Sequence, residues 1–130
     1  MSDHVHIGDG EIWPTMPWPF PGNAFPQDLG AVVMPSVLSG KAPALQVVHF
    51  ESGHWGIADG VGNPNRNLEA THIWHVIGTD RTLAELATLP PGHQADRDRV
   101  GEPWVISPFE YRAPPLWERL RDWLTLARFR

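Results

Sequence analysis

Alternating apolar and polar positions in the middle of the chain predict a β-hairpin. Two strand-like stretches within residues 45–59 flank Ser52-Gly53, a dipeptide typical of two-residue hairpin turns. Such a turn would place Phe50 opposite Trp55 and point His49 to the other face. Because both faces carry apolar side chains, we expect the hairpin to lie inside a sheet rather than along a solvated edge.

A second apolar stretch, residues 68–77, fits a helix better than a strand. As a helix it forms an apolar stripe at positions i, i+3, i+4 and i+7, made of Ala70, Ile73, Trp74 and Ile77. His72 and His75 then share the opposite face. A strand is the alternative, because threonine, isoleucine, tryptophan and valine favour sheets, and a strand would separate the two histidines.

Shorter signals complete the pattern. Residues 30–38 predict a strand broken by Pro35, Thr82-Leu-Ala-Glu85 is a capping box for a short helix, and residues 93–106 predict two short strands. Pro114-Pro115 would begin a last helix within 112–130. We therefore predict a small α+β domain, with an antiparallel sheet around the 45–59 hairpin and two to three covering helices.

The first part of the chain is predicted to be an extended arm rich in proline and aromatic residues. Five prolines between residues 12 and 26 exclude a helix and a central strand. Trp13 and Trp18 are expected to pack on the core or to bind a partner. The predicted layout is one domain, with an arm at 1–29, an α+β core at 30–106 and an amphipathic C-terminal helix at 112–130.

Composition and charge narrow the class of protein. The 130 residues fit a single domain, and the absence of cysteine excludes disulfides and thiolate chemistry. Without a signal-peptide pattern or a membrane-length apolar run, we expect a soluble cytoplasmic protein with no transmembrane segment. The net charge of −5 argues against nucleic-acid binding. From Arg112 onward five arginines stand against Glu118 and Asp122, so this end carries +3 and the preceding residues −8.

The two histidines of the 68–77 stretch are the best candidates for chemistry. On one helix face His72 and His75 would lie close enough to share a zinc or another divalent metal ion, given a third ligand from elsewhere. His49 is one such candidate; the others are Glu51, Asp59 and Glu69. Under this hypothesis the protein is a small enzyme of specialised metabolism, with His72, His75 and His49 as catalytic residues acting through metal or as proton carriers. The structural alternative is one core histidine and one exposed histidine.

A non-enzymatic binding protein without a cofactor is the hypothesis that we favour from the sequence. Its acidic body would suit a cationic protein partner and speed association, and a small-molecule ligand or a homodimer are further options. The residues expected to contact a partner are the aromatic and basic side chains of the two ends of the chain: Trp13, Trp18, Trp117, Arg121 and Trp123.

The middle of the chain resembles a group of small bacterial α+β domains, actinobacterial ones among them. The likeness covers residues 31–106 and consists of a tryptophan on the second hairpin strand (Trp55), the stretch Ala84-Glu-Leu-Ala-Thr-Leu-Pro-Pro-Gly92, and the spaced residues Ala95, Arg97, Gly101 and Pro103-Trp104. Some similar domains are immunity partners of bacterial toxins, which they neutralise by binding. The resemblance thus implies an α+β fold and an immunity-like role, and it implies no catalytic residue.

Overall fold

The chain folds around a six-stranded sheet flanked by short helices. The computed structural model describes residues 11–61 and 68–109. The strands are β1 Gly30–Val33, β2 Gln46–His49, β3 Trp55–Ala58, β4 Glu69–His72, β5 His93–Asp96 and β6 Val105–Pro108. The helices of these residues are α1 Pro35–Leu38, α2 Ile73–Ile77 and the 3-10 helices Pro21–Asn23 and Arg81–Thr88. A mixed α+β fold is therefore confirmed.

The sheet is mixed rather than antiparallel, so this part of the prediction was wrong. Its strand order is β4-β1-β3-β2-β5-β6. β1 runs parallel to β3, whereas the other neighbouring pairs are antiparallel. All four residues of β1 are buried. A strand that is apolar on both faces suits a position paired on both sides, where a parallel neighbour is readily accommodated.

The connection between β2 and β3 is one residue longer than the sequence pattern suggested. The Phe50 amide donates to the His54 carbonyl at 2.9 Å, which leaves residues 51–53 as the loop. Gly53 has a φ of 97°, the left-handed conformation that three-residue hairpin loops require. As a result His49, not Phe50, lies opposite Trp55, and the two side chains face the same side of the sheet. The predicted register was wrong because the loop has one residue more than predicted, and a shift of one residue moves each side chain to the other face of the sheet.

Residues 68–77 are neither all helix nor all strand. Residues 69–72 form β4 and pair with β1, with His72 opposite Gly30. The helix α2 begins at the next residue, Ile73, whose amide donates to the Leu29 carbonyl at 2.9 Å. The prediction of one continuous helix was wrong because pairing with β1 determines the conformation of residues 69–72. Local propensity does not explain it, since only Thr71 of these four residues favours strands.

The helix predicted from the 82–85 capping box has a different start and a tighter geometry. It is the 3-10 helix Arg81–Thr88, and its N-cap is Asp80 rather than Thr82. Asp80 Oδ1 accepts from both the Thr82 amide, at 3.1 Å, and the Thr82 hydroxyl, at 2.5 Å. The two strands predicted within 93–106 occur as β5 and β6, which pair antiparallel.

The described part of the N-terminal arm contributes to the core. Phe20 and Phe25 are 3% and 4% exposed, and their ring centroids lie 6.1 and 5.0 Å from that of Trp55. Trp13 forms a single parallel bridge with Leu29 at the start of β1. The predicted C-terminal helix lies outside the described residues. Within residues 11–61 and 68–109, no helix is long and apolar enough to span a membrane.

Replacing Gly30 with alanine should destabilise the protein by about 1–3 kcal/mol. A Cβ at this position would collide with the buried Ile12 side chain and lie 3.4 Å from the Trp13 carbonyl oxygen. The extra methyl therefore has to displace the arm from β1. Urea unfolding measures the loss. Gly78→Ala is the control, because its Cβ would lie in ordinary contact, 3.4 Å from the Trp74 carbonyl oxygen. Equal effects of the two substitutions would contradict this account of the arm.

Candidate functional site

His72 and His75 lie together, although not on one helix face. His72 ends β4 and is buried, whereas His75 lies within α2 and is exposed. Their ring centroids are 5.4 Å apart with the planes at 84°. The proximity arises because the chain turns from strand to helix between the two residues.

Both rings already make hydrogen bonds within the protein. His72 Nε2 donates to the Glu11 carbonyl oxygen at 2.7 Å, since a carbonyl can only accept. His75 Nδ1 is 2.9 Å from the Thr71 hydroxyl. His72 therefore fastens the arm to the end of β4. His75 offers an exposed ring at the surface.

The third histidine of the proposed catalytic set is far from this pair. His49 lies on β2, and β1 and β3 separate that strand from β4. Three strand spacings correspond to roughly 14 Å, beyond the reach of a shared metal ion or proton. Among residues 11–61 and 68–109, no three histidine, cysteine, aspartate or glutamate side chains are grouped to hold a metal ion. Neither His49 nor the acidic candidates thus join the pair.

His49 is part of the core. Its side chain is 1% exposed and stacks on Trp55, with the ring centroids 3.9 Å apart and the planes at 14°. Its Nδ1 donates to the Leu89 carbonyl oxygen at 2.7 Å. Burial lowers the pKa of His49, and the hydrogen bond to Leu89 offsets only part of that effect. The imidazole is therefore neutral at pH 7 and enclosed by aromatic rings.

The tryptophans expected to contact a partner differ in their surroundings. Trp18 is half-buried, donates from Nε1 to the Ala87 carbonyl oxygen at 3.2 Å and lies edge-on to His49, with the ring centroids 5.9 Å apart. Its contacts are thus with the core. Trp13 is 43% exposed beside β1. Trp117, Arg121 and Trp123 lie outside the described residues.

Among residues 11–61 and 68–109, two neighbouring large apolar side chains are exposed on β6, which lies at one end of the strand order. Val105 and Ile106 are 64% and 46% exposed, and the preceding Trp104 is half-buried. We call these three residues the β6 surface. No strand of the described residues pairs with the outer edge of β6. Exposed apolar side chains on an open strand edge are typical of a protein-binding surface.

A groove separates the β6 surface from the 3-10 helix Arg81–Thr88. Its volume is about 350 Å³. We call it the Trp104 groove, and its lining includes Glu85, Leu89, Pro90, Pro103, Trp104 and Ile106. Glu85 and Thr88 are its polar lining residues, both exposed, and the others, Leu86 among them, are apolar.

Arg97 holds Trp104 in place beside this groove. The Arg97 side chain is completely buried, and its guanidinium carbon lies 3.9 Å from the centroid of a Trp104 ring. It donates to Asp80 at 2.5 Å, to the Thr82 hydroxyl at 2.8 Å and to the Ala44 carbonyl oxygen at 3.0 Å. Burial raises the pKa of Asp80, but the hydrogen bonds from Thr82 and Arg97 outweigh it and the net shift is downward. Arg97 is thus a charged support for an aromatic side chain.

The sequence indicated the separate parts of this region but not their assembly. Asp80 and Arg97 are far apart in the chain, and only the pairing of β5 with both β2 and β6 brings the segment after β5 next to the 3-10 helix. A buried arginine gives no periodic signal in a sequence.

Comparisons of the chain with protein-family models, with curated proteins and with solved structures found no match.

Proposed function

We propose that this protein is a non-enzymatic protein-binding domain that holds a cationic partner protein through its β6 surface. The observation that carries the proposal is the exposure of two apolar side chains, Val105 at 64% and Ile106 at 46%, on the two faces of a strand whose outer edge is not paired by any other described strand. A strand of a partner added at this edge would pair with the β6 backbone, and its own side chains would pack beside Val105 on one face and beside Ile106 on the other. Main-chain pairing would provide affinity, and the flanking side chains would provide selectivity.

The charge of the described residues supports a cationic partner. Residues 11–61 and 68–109 contain ten acidic side chains and four basic ones. Of the four, Arg97 is buried against Asp80, and Arg99 pairs with Glu102 at 3.1 Å. A protein with a net negative charge associates faster with a positively charged partner, and this increase in the association rate disappears when salt screens the charges. The resemblance to toxin-immunity domains adds a specific form of the proposal, in which binding neutralises the partner.

The enclosure of His49 weighs against the enzyme alternative. A general acid or base has to reach the proton that it transfers, and His49 is 1% exposed beneath tryptophan rings. His72 is engaged with the backbone of the arm. Of the three proposed catalytic residues, only His75 is therefore placed to meet a solute.

Ile106→Glu should weaken partner binding at least tenfold, because it removes an apolar contact and a carboxylate has to lose its water in the apolar interface. The wild-type chain, Ile106→Glu and Val61→Glu are immobilised, and each is exposed to lysate from the source cells at low and high salt. Val61 is 84% exposed on the loop after β3, so the control introduces the same charge away from β6.

The expected result is one protein of high isoelectric point, retained stoichiometrically by wild type and Val61→Glu. It should be lost from Ile106→Glu and released by salt. Urea unfolding checks that Ile106→Glu is folded. Equal retention of the same proteins by all three chains would refute the β6 surface as the binding site.

A further inference from the structure

The Trp104 groove has features that define what kind of segment it accepts. Two contacts hold the Trp104 side chain in place. Its Nε1 donates to the Thr82 carbonyl oxygen at 3.4 Å, and Arg97 stacks against the ring. Arg97 is itself held by Asp80 and Ala44. An aromatic side chain that is immobilised before binding loses little conformational entropy when a ligand packs on it.

The part of Trp104 that lines the groove is flanked by rigid apolar walls. Since Arg97 occupies one face of the indole, the ligand would meet the other face or the edge of the ring. Pro90 and Pro103 lie along the same groove, Leu86, Leu89 and Ile106 are its other apolar lining residues, and the polar Thr88 lies beside them. Flat aromatic and proline surfaces of this kind suit the pyrrolidine rings of a polyproline II segment, which is already extended and has little entropy to lose.

An acidic side chain adds a charge preference to this apolar groove. Glu85 is exposed and belongs to the groove lining, on the 3-10 helix that forms one side. The described part of the chain contains more acidic than basic residues, so its net charge is negative, as is that of Glu85. An arginine next to the prolines of a ligand would therefore gain a charge-assisted hydrogen bond at Glu85.

We infer that the Trp104 groove binds an extended segment of the partner protein that combines prolines with an arginine. This inference rests on the proposed function and names the chemistry of the segment that the partner presents. The prolines pack on Trp104 between Pro90 and Pro103, and the arginine contacts Glu85. The β6 edge lies alongside for the remainder of the contact.

Synthetic peptides test the inference directly. The probe is a ten-residue peptide containing Arg-Ala-Pro-Pro-Leu, compared with one in which both prolines are alanine and one in which the arginine is glutamate. Binding to the full chain is measured by calorimetry. We expect the alanine and glutamate peptides to bind at least fivefold more weakly than the probe. Trp104→Ala should weaken probe binding about thirtyfold, as for truncation of a central aromatic contact.

Two further variants keep the test decisive. Trp104→Ala removes the ring that stacks on Arg97, which lowers the stability of the fold. Glu85→Lys is therefore measured as well. Because Glu85 is exposed, its replacement leaves the packing of the core intact. Glu85→Lys should reverse the preference, so that the glutamate peptide binds more tightly than the arginine peptide. Val61→Ala, which truncates an exposed apolar side chain outside the groove, should leave probe binding unchanged.

The outcomes separate this inference from the proposed function. If all three peptides bind equally to every variant, the inference is wrong, even where Ile106→Glu still abolishes capture of the partner. The chain itself contains Arg-Ala-Pro-Pro-Leu at residues 112–116. Probe binding to Pro114→Ala/Pro115→Ala but not to wild type would make that segment the occupant and would overturn the assignment to a partner.

Discussion

Replacing Arg97 with alanine should lower the free energy of unfolding by about 3–5 kcal/mol, the usual cost of breaking a buried ion pair from one side. The change leaves the half-buried Asp80 carboxylate without its positive partner, and removes the donors to Thr82 and to the Ala44 carbonyl oxygen. It also removes the cation that stacks on Trp104. Urea unfolding at pH 7 measures the effect.

Arg99→Ala is the matched control for Arg97. Arg99 is also an arginine paired with an acid, Glu102, but its side chain is 75% exposed, so its loss should cost less than about 1 kcal/mol. Asp80→Asn removes the carboxylate charge and keeps a residue that caps helices well. A double-mutant cycle of Arg97→Ala with Asp80→Asn should therefore give a coupling energy of about 1–3 kcal/mol. Additive effects would mean that the ion pair does not hold this region together.

Acidification should destabilise the protein through His49, starting near pH 6.5. Because the pKa of His49 is lowered in the folded state, the unfolded chain takes up a proton at a pH where the folded chain does not. Stability from this group is complete above about pH 6.5 and falls as the pH drops towards the folded pKa, by at most about 1.4 kcal/mol per pH unit. Asp80 acts in a separate window: because its pKa is lowered in the folded state, its contribution to stability is complete above its ordinary pKa of 3.8 and is lost as the pH falls below that value.

His49→Phe isolates this contribution. Phenylalanine keeps an aromatic ring against Trp55 but cannot be protonated, so the dependence of stability on pH between about 6.5 and 5 should be flatter than in wild type. His93→Ala is the control, because His93 is only half-buried. Unfolding midpoints in urea across this pH range provide the comparison. If His49→Phe retains the wild-type slope, burial of the imidazole is not the source of the acid sensitivity.

The sequence was informative where local pattern determines structure. The α+β class followed from alternation in the middle of the chain and from the turn residues near Pro90 and Gly101. Register failed at the β2–β3 connection because Ser52-Gly53 fits a two-residue turn, whereas the structure uses Gly53 as the left-handed residue of a three-residue loop. Such alternatives differ by little energy locally, and the stacking of His49 on Trp55 favours the observed register.

The candidate site was harder to predict because it depends on tertiary packing. The sequence put His72 and His75 together on one helix face, but their surroundings differ because β4 ends between them and α2 begins. The Trp104 groove could not be anticipated, since its walls come from the 3-10 helix and from β6. Arg97 holds Trp104 in position; the resemblance singled out both residues, but nothing in the sequence indicated that Asp80 pairs with Arg97. The expectations for Trp117, Arg121 and Trp123 are still predictions.

The position of β1 in the sheet has a consequence for synthesis on the ribosome. β1 is the first of the described strands to be made, but both of its neighbours, β3 and β4, lie later in the chain, and Gly30 pairs with His72. Until residue 72 has left the exit tunnel, the apolar run Ala31-Val32-Val33 cannot pair with β4 and so cannot be paired on both sides. Closing such long-range pairs is slow compared with forming local hairpins. The apolar side chains of β1 are therefore exposed to water during synthesis for longer than those of β2 and β3, which pair with each other locally.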